Sequence, residues 1–153
     1  MLMAVRASAY CNLAALLLLG PPAAAQTPPI QPGEATFSIF VGSTPVGFER
    51  IELLRDENGW TIRSRGNLAD PIGLQNQLFE IEYDEQWHPR SLSIQGISRD
   101  VPFALQTTFD TAGATTMVEQ AGQQSSLTHP IPADAVVLPE YFFAAYETLA
   151  ARL

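Results

Sequence analysis

The sequence predicts a mainly β protein: a curved antiparallel meander, a half-barrel of about seven or eight strands, followed by one C-terminal helix. Three observations predict it. From Ala35 to about Leu127, apolar and polar residues alternate in short runs that turn residues interrupt every ten residues or so. Asn58-Gly59, the strongest short-range hairpin signal, separates two of these runs. After Pro139 the apolar spacing changes to threes and fours, the period of an amphipathic helix. No helical segment separates the strands, so a parallel α/β arrangement is excluded.

The chain opens with Arg6, an apolar run Leu13 to Leu19, the breaker Gly20-Pro21-Pro22 and the small residues Ala23-Ala24-Ala25. That order is the signature of a secretory signal peptide over residues 1–25, cut before Gln26. The apolar run is too short for the roughly 20 residues of a membrane-spanning helix. Cleavage leaves no integral membrane segment, and a periplasmic or extracellular protein is expected. A Pro-rich tether over residues 26–34 follows, with Thr27-Pro28-Pro29 and Gln31-Pro32-Gly33. The β domain with its helix then occupies residues 35–153.

Within that domain, Phe37, Ile39 and Val41 alternate with Thr36, Ser38 and Phe40 before the Gly42-Ser43-Thr44-Pro45 turn. Val46 to Arg55 forms the next run, with Glu49 and Glu52 among apolar residues. Trp60 to Leu68 alternates cleanly: Trp60, Ile62 and Leu68 share one face with Ser64 and Gly66. A looser stretch, Ala69 to Gln75, precedes Phe79, Ile81 and Tyr83. Trp87-His88-Pro89 reads as a turn. Leu92, Ile94, Gly96 and Ser98 share a face in the next run, and Phe103, Leu105, Thr107 and Phe109 in the one after. Met117-Val118 and Ser125 to Thr128 mark two weaker runs. Finally, Glu140 to Leu153 places Phe142, Tyr146, Leu149 and Leu153 on one helical face. About 14 residues are too few for a helix to be stable alone in water. It is expected to pack on the concave side of the sheet, opposite Trp60, Ile62, Leu92, Ile94 or Phe103. The helical pattern reaches Arg152-Leu153 with no stop signal, so a further part of the protein is expected beyond it.

The 153 residues carry 8 basic groups, all Arg, against 16 acidic ones, a net charge of −8. Loss of Arg6 with the leader makes the mature chain one unit more negative. With no basic cluster, nucleic acid is excluded as a partner. The only cysteine, Cys11, lies in the leader and ahead of its apolar run, so the mature chain has no disulfide and no lipidation cysteine. No nucleophile motif stands out either, because no serine sits in a Gly-x-Ser-x-Gly elbow. His88 and His129 each precede a proline and read as turn histidines; far apart in sequence, they make no zinc site. Glu80, Glu82 and Asp84 read as the wet face of a strand. No enzyme, metal or cofactor is expected within these residues.

What remains is a row of small residues on the core-facing stripe. Gly66 and Gly96, beside Trp60, Ile62, Ile94 and Phe103, either mark bulges or seat the C-terminal helix, or leave room for an apolar ligand on a bent sheet. These six are the candidate binding residues.

Phe37 to Glu49, followed by Gly59-Trp60-Thr61-Ile62-Arg63-Ser64, resembles the opening hairpins of secreted bacterial β domains of the lipoprotein-carrier (Lol) type. That resemblance implies a curved sheet that wraps a helix and shelters acyl chains, hence a lipid or another apolar small molecule as partner. The tail Val136 to Phe143 is similar to a connector in exported proteins, some of which resemble leaders to secreted α/β-hydrolases. The alternative function is therefore an accessory domain of such a hydrolase, with the catalytic part beyond residue 153 as a downstream domain of the same chain. The resemblance rests on pattern, and no functional residue carries over from it.

Overall fold

The computed structural model describes residues 30–132 and 134–152. The expected leader, the first part of the tether and Leu153 lie outside the described residues. Eight strands follow in chain order: β1 (Gly33–Val41), β2 (Thr44–Asp56), β3 (Gly59–Leu68), β4 (Leu74–Tyr83), β5 (Pro89–Ser98), β6 (Val101–Asp110), β7 (Gly113–Gln120) and β8 (Gln123–His129). Each pairs antiparallel with the next, and together they make one sheet in the order β1 to β8. The mainly β meander with a C-terminal helix is the fold that the period predicts. The sheet is open and uncurled, without the half-barrel curvature expected of it. Strand β1 also starts earlier than expected, so Gly33 and Glu34 pair with β2 and do not belong to a tether.

Aspartates shape several connections. The Asp56 carboxylate accepts from the Asn58 and Gly59 amides at 2.7 and 3.2 Å. Asp110 repeats that arrangement with Ala112 and Gly113 at 2.7 and 3.1 Å. Each Asp satisfies donors that a tight turn would leave open, which is why Asp-led turns are common. The turn before β5 holds more than a turn. Trp87 adopts a left-handed φ of 63° and is buried, stacked on Trp60 at 4.8 Å and tilted against Tyr83 at 5.4 Å.

One face of the sheet is dry over β2 to β5. Ile51, Leu53, Ile62, Phe79, Ile81, Leu92 and Ile94 are buried there and form one cluster. Along β4 the inward positions are Asn76 and Phe79, three apart, because a register shift between Asn76 and Leu78 inserts an extra residue. A bulge of this kind re-aims side chains while pairing continues.

The C-terminal segment lies over this dry face, in a form the helical period did not predict. Phe142 is extended, Phe143–Ala145 makes a single 3-10 turn, and α1 spans only Tyr146–Ala151. The buried residues are Phe142, Ala144, Ala145 and Thr148. Tyr146 is 54% exposed and Leu149 37% exposed, so the expected Phe142-Tyr146-Leu149 face is not the packed one. Small side chains win because they let the helical backbone settle close to the sheet. Phe142 is the one large side chain buried from this segment, stacked on Phe79 at 5.4 Å. Thr148 donates to the Tyr83 hydroxyl at 2.6 Å, which fixes the far end of the segment.

Candidate functional site

The six residues singled out by sequence divide in the structure. Trp60, Ile62 and Ile94 are core: all three are buried, and Trp60 stacks on Trp87 and meets the Arg55 guanidinium 4.9 Å from its ring centre. Gly66 and Gly96 mark close backbone approach rather than empty space. A Cβ on Gly66 would lie 2.5 Å from the Phe48 carbonyl oxygen, and one on Gly96 would lie 2.6 Å from that of Gln75. The room above Gly96 is taken by the Phe103 ring, 3.1 Å from that same Cβ position. Phe103 is half-buried. Only Gly96 and Phe103 meet at a cleft, a shallow space of about 250 Å³ bordered by Gln95, Pro102 and Ala104.

Five of the strands bring a different set together. Register places Glu49 opposite Gly66, Gly66 opposite Asn76, Asn76 opposite Gly96, and Gly96 opposite Phe103, one row across β2 to β6. With no side chain on Gly66, the carboxyl of Glu49 and the amide of Asn76 close over it from either side. Ser64 bridges them: its hydroxyl donates to Glu49 Oε1 and accepts from Asn76 Nδ2 at 3.0 Å. The other carboxylate oxygen accepts the Phe143 amide at 2.8 Å. Glu49, Ser64 and Asn76 are all buried. Burial pushes the Glu49 carboxyl above its ordinary value, against the opposing pull of Ser64 and of the Phe143 and Ala144 amides. Asn76 Oδ1 is buried and has no partner among the described residues.

Chemically this cluster is a polar fastener in an apolar layer. It ties β2, β3 and β4 to the first turn of the C-terminal segment, whose free amides need acceptors. Sequence reading passed over it. Glu49 is in phase with Ile51 and Leu53, and that parity was the available signal; Asn76 was hidden by the bulge.

The remaining titratable groups are dispersed. Arg63 pairs with Glu80, Ser91 donates to Glu82 at 2.8 Å, and Asp84 contacts His88 Nδ1 at 2.9 Å. Among the described residues, no group of three His, Cys, Asp or Glu side chains is placed to hold a metal ion. Burial pushes the Tyr83 hydroxyl up to about 12. A cleft of about 460 Å³ on the opposite face is lined by Arg50, Glu52, Arg63, Arg65, Leu78 and Glu80, where both signs of charge alternate. No helix among the described residues is long and apolar enough to cross a membrane.

The dry face continues past the C-terminal segment. Ile94 lies opposite Leu105, and Leu105 opposite Val118. Phe103, Leu105, Phe109 and Val118 are half-buried on the same face as the core; the first three pack against its margin, and Val118 lies outside the core cluster.

Comparison with known protein families, with curated proteins and with solved structures found no match.

Proposed function

We propose that this chain is an exported, non-catalytic β domain that binds an apolar ligand, such as a lipid or acyl chain, along one face of its sheet. The observation that carries this reading is the apolar track Ile94–Leu105–Val118, flanked by Phe103 and Phe109, which leaves the core and runs out across β6 and β7. Successive strands lie roughly 4.8 Å apart, so the track from β5 to β7 crosses roughly 10 Å of sheet. Monomeric domains seldom leave such apolar surface uncovered unless it binds something. The ligand region is therefore shifted from the one first expected. Trp60, Ile62, Gly66 and Ile94 belong to the supporting core, and Phe103, Leu105 and Val118 contact the ligand.

Titration with a fluorescent dansyl fatty acid tests this. The wild-type protein should bind it saturably, and Leu105→Ser and Val118→Ser should each weaken binding about tenfold while the circular dichroism stays unchanged. Both residues are half-buried, so the fold should survive. Absence of saturable binding, or equal affinity in both folded variants, overturns the reading.

A further inference from the structure

The two edges of the sheet are built differently. β1 carries Glu34, ion-paired with Arg50 at 2.9 Å, and its pairing with β2 is broken by a register shift between Ile39 and Phe40. Charge and bulges of this kind discourage strangers from pairing with an edge. β8 has neither. Gln123 to His129 contains no Asp, Glu, Lys, Arg or Pro, pairs with β7 through seven unbroken positions, and is exposed throughout. Across the whole β7–β8 hairpin, Gly113 to His129, Glu119 is the one Asp, Glu, Lys or Arg side chain.

We propose that β8 is a docking edge for a second copy of this chain, which adds its own β8 antiparallel about a two-fold axis at Ser126. Charge distribution selects the copy as the partner. Two chains of net charge −8 repel wherever their acidic surfaces meet, and this hairpin is where they can approach with the least repulsion. The edge is also self-complementary. Pairing about Ser126 sets Gln123 against His129, Gln124 against Thr128, and Ser125 against Leu127 of the other copy. Both members of each pair then point to the same side of the joined sheet. Leu127, 58% exposed in one chain, continues the apolar face across the junction. Strand addition draws its affinity from main-chain hydrogen bonds, and an isologous contact closes after two copies.

The geometry makes a register-specific test. In the full chain carrying Cys11→Ser, Ser126→Cys meets itself on the axis, where opposed Cα atoms of an antiparallel pair lie roughly 4.5–5.5 Å apart, within disulfide reach. Mild oxidation should convert it to a covalent dimer, whereas Gln123→Cys, which faces His129, should stay largely uncrosslinked. In sedimentation the wild-type chain should be dimeric at high concentration. Ser126→Lys, which sets two cations face to face at an exposed position, should be monomeric with an unchanged circular dichroism spectrum. A monomeric wild-type chain, equal crosslinking by both cysteine variants, or a dimeric Ser126→Lys would overturn the proposal.

Discussion

Strands β2 to β5 and strands β6 to β8 share one pattern of alternation and have different fates. In the first group the inward residues are dry: Ile62, Phe79 and Ile81 have no measurable exposure. In the second, Phe103, Leu105 and Phe109 of the same parity are half-buried at β6, with Thr107 alone buried among them, and β8 is fully exposed. The alternation is not weaker along β6, where Phe103, Leu105, Thr107 and Phe109 succeed one another. What differs is the layer above. Phe142, Ala144, Ala145 and Thr148 cover the first group, and nothing described covers the second to the same depth. A sheet face becomes core only when a second layer is laid on it, so period two announces an apolar face without saying whether it is buried.

The comparison is broken most severely by truncating the covered half. Phe79→Ala should cost about 3–5 kcal/mol, the usual range for a fully buried aromatic. Chemical denaturation reads this directly, and a loss below about 1 kcal/mol would mean that the covered half is not the stabilising core. Phe142→Ala removes the partner of that ring from the layer above. It should cost somewhat less, about 2–4 kcal/mol, because the short segment can adjust, and it should raise binding of a hydrophobic dye. If the dye signal is unchanged, the segment does not seal the face.

Glu49 sharpens the contrast through pH. Its folded-state pKa is raised by burial, so the native state holds the proton more tightly than the unfolded chain does. Stability from this group is therefore fully present below the unfolded value and is lost as pH rises through the higher folded one. Glu49→Gln keeps an acceptor for the Phe143 amide and cannot ionise. Denaturation midpoints of the two proteins, compared across the range from the ordinary Glu pKa to neutrality, should move in favour of Gln as pH rises. A constant difference would show that the buried carboxyl does not titrate with folding. The smallest effect belongs to the uncovered half. Leu105→Ala should cost less, about 1–2 kcal/mol, since its side chain is only partly buried at the margin of the core. A loss as large as that of Phe79→Ala would show that the open wing is packed after all.

Much of the fold was legible because the information is local. Trp60 to Leu68 alternates without a fault, Asn58-Gly59 marks its hairpin, and every strand from β5 to β8 lies where the runs of alternation place it. Legibility failed where one residue answers to two constraints. The extra residue in β4 put Asn76 in the core, just past the looser stretch Ala69 to Gln75 and out of phase with Phe79 and Ile81. Trp87 is both a turn residue and a core aromatic. The C-terminal period pointed to Tyr146 and Leu149, yet the close fit to the sheet favoured alanine and threonine. The candidate site suffered most: Gly66 and Gly96 read as space, and what stands above them comes from neighbouring strands.

By itself, then, the amino-acid order determined the antiparallel meander, the parity of each strand and the helical character of the tail, because each follows from contacts between residues near in sequence. Only the tertiary structure decided which half of the face is dry, that Glu49, Ser64 and Asn76 join under the Phe143 amide, and that Phe103 fills the room over Gly96. Those outcomes depend on register across five strands and on a segment 94 residues downstream of Glu49. Burial is a property of two surfaces meeting, and one strand's pattern describes only one of them.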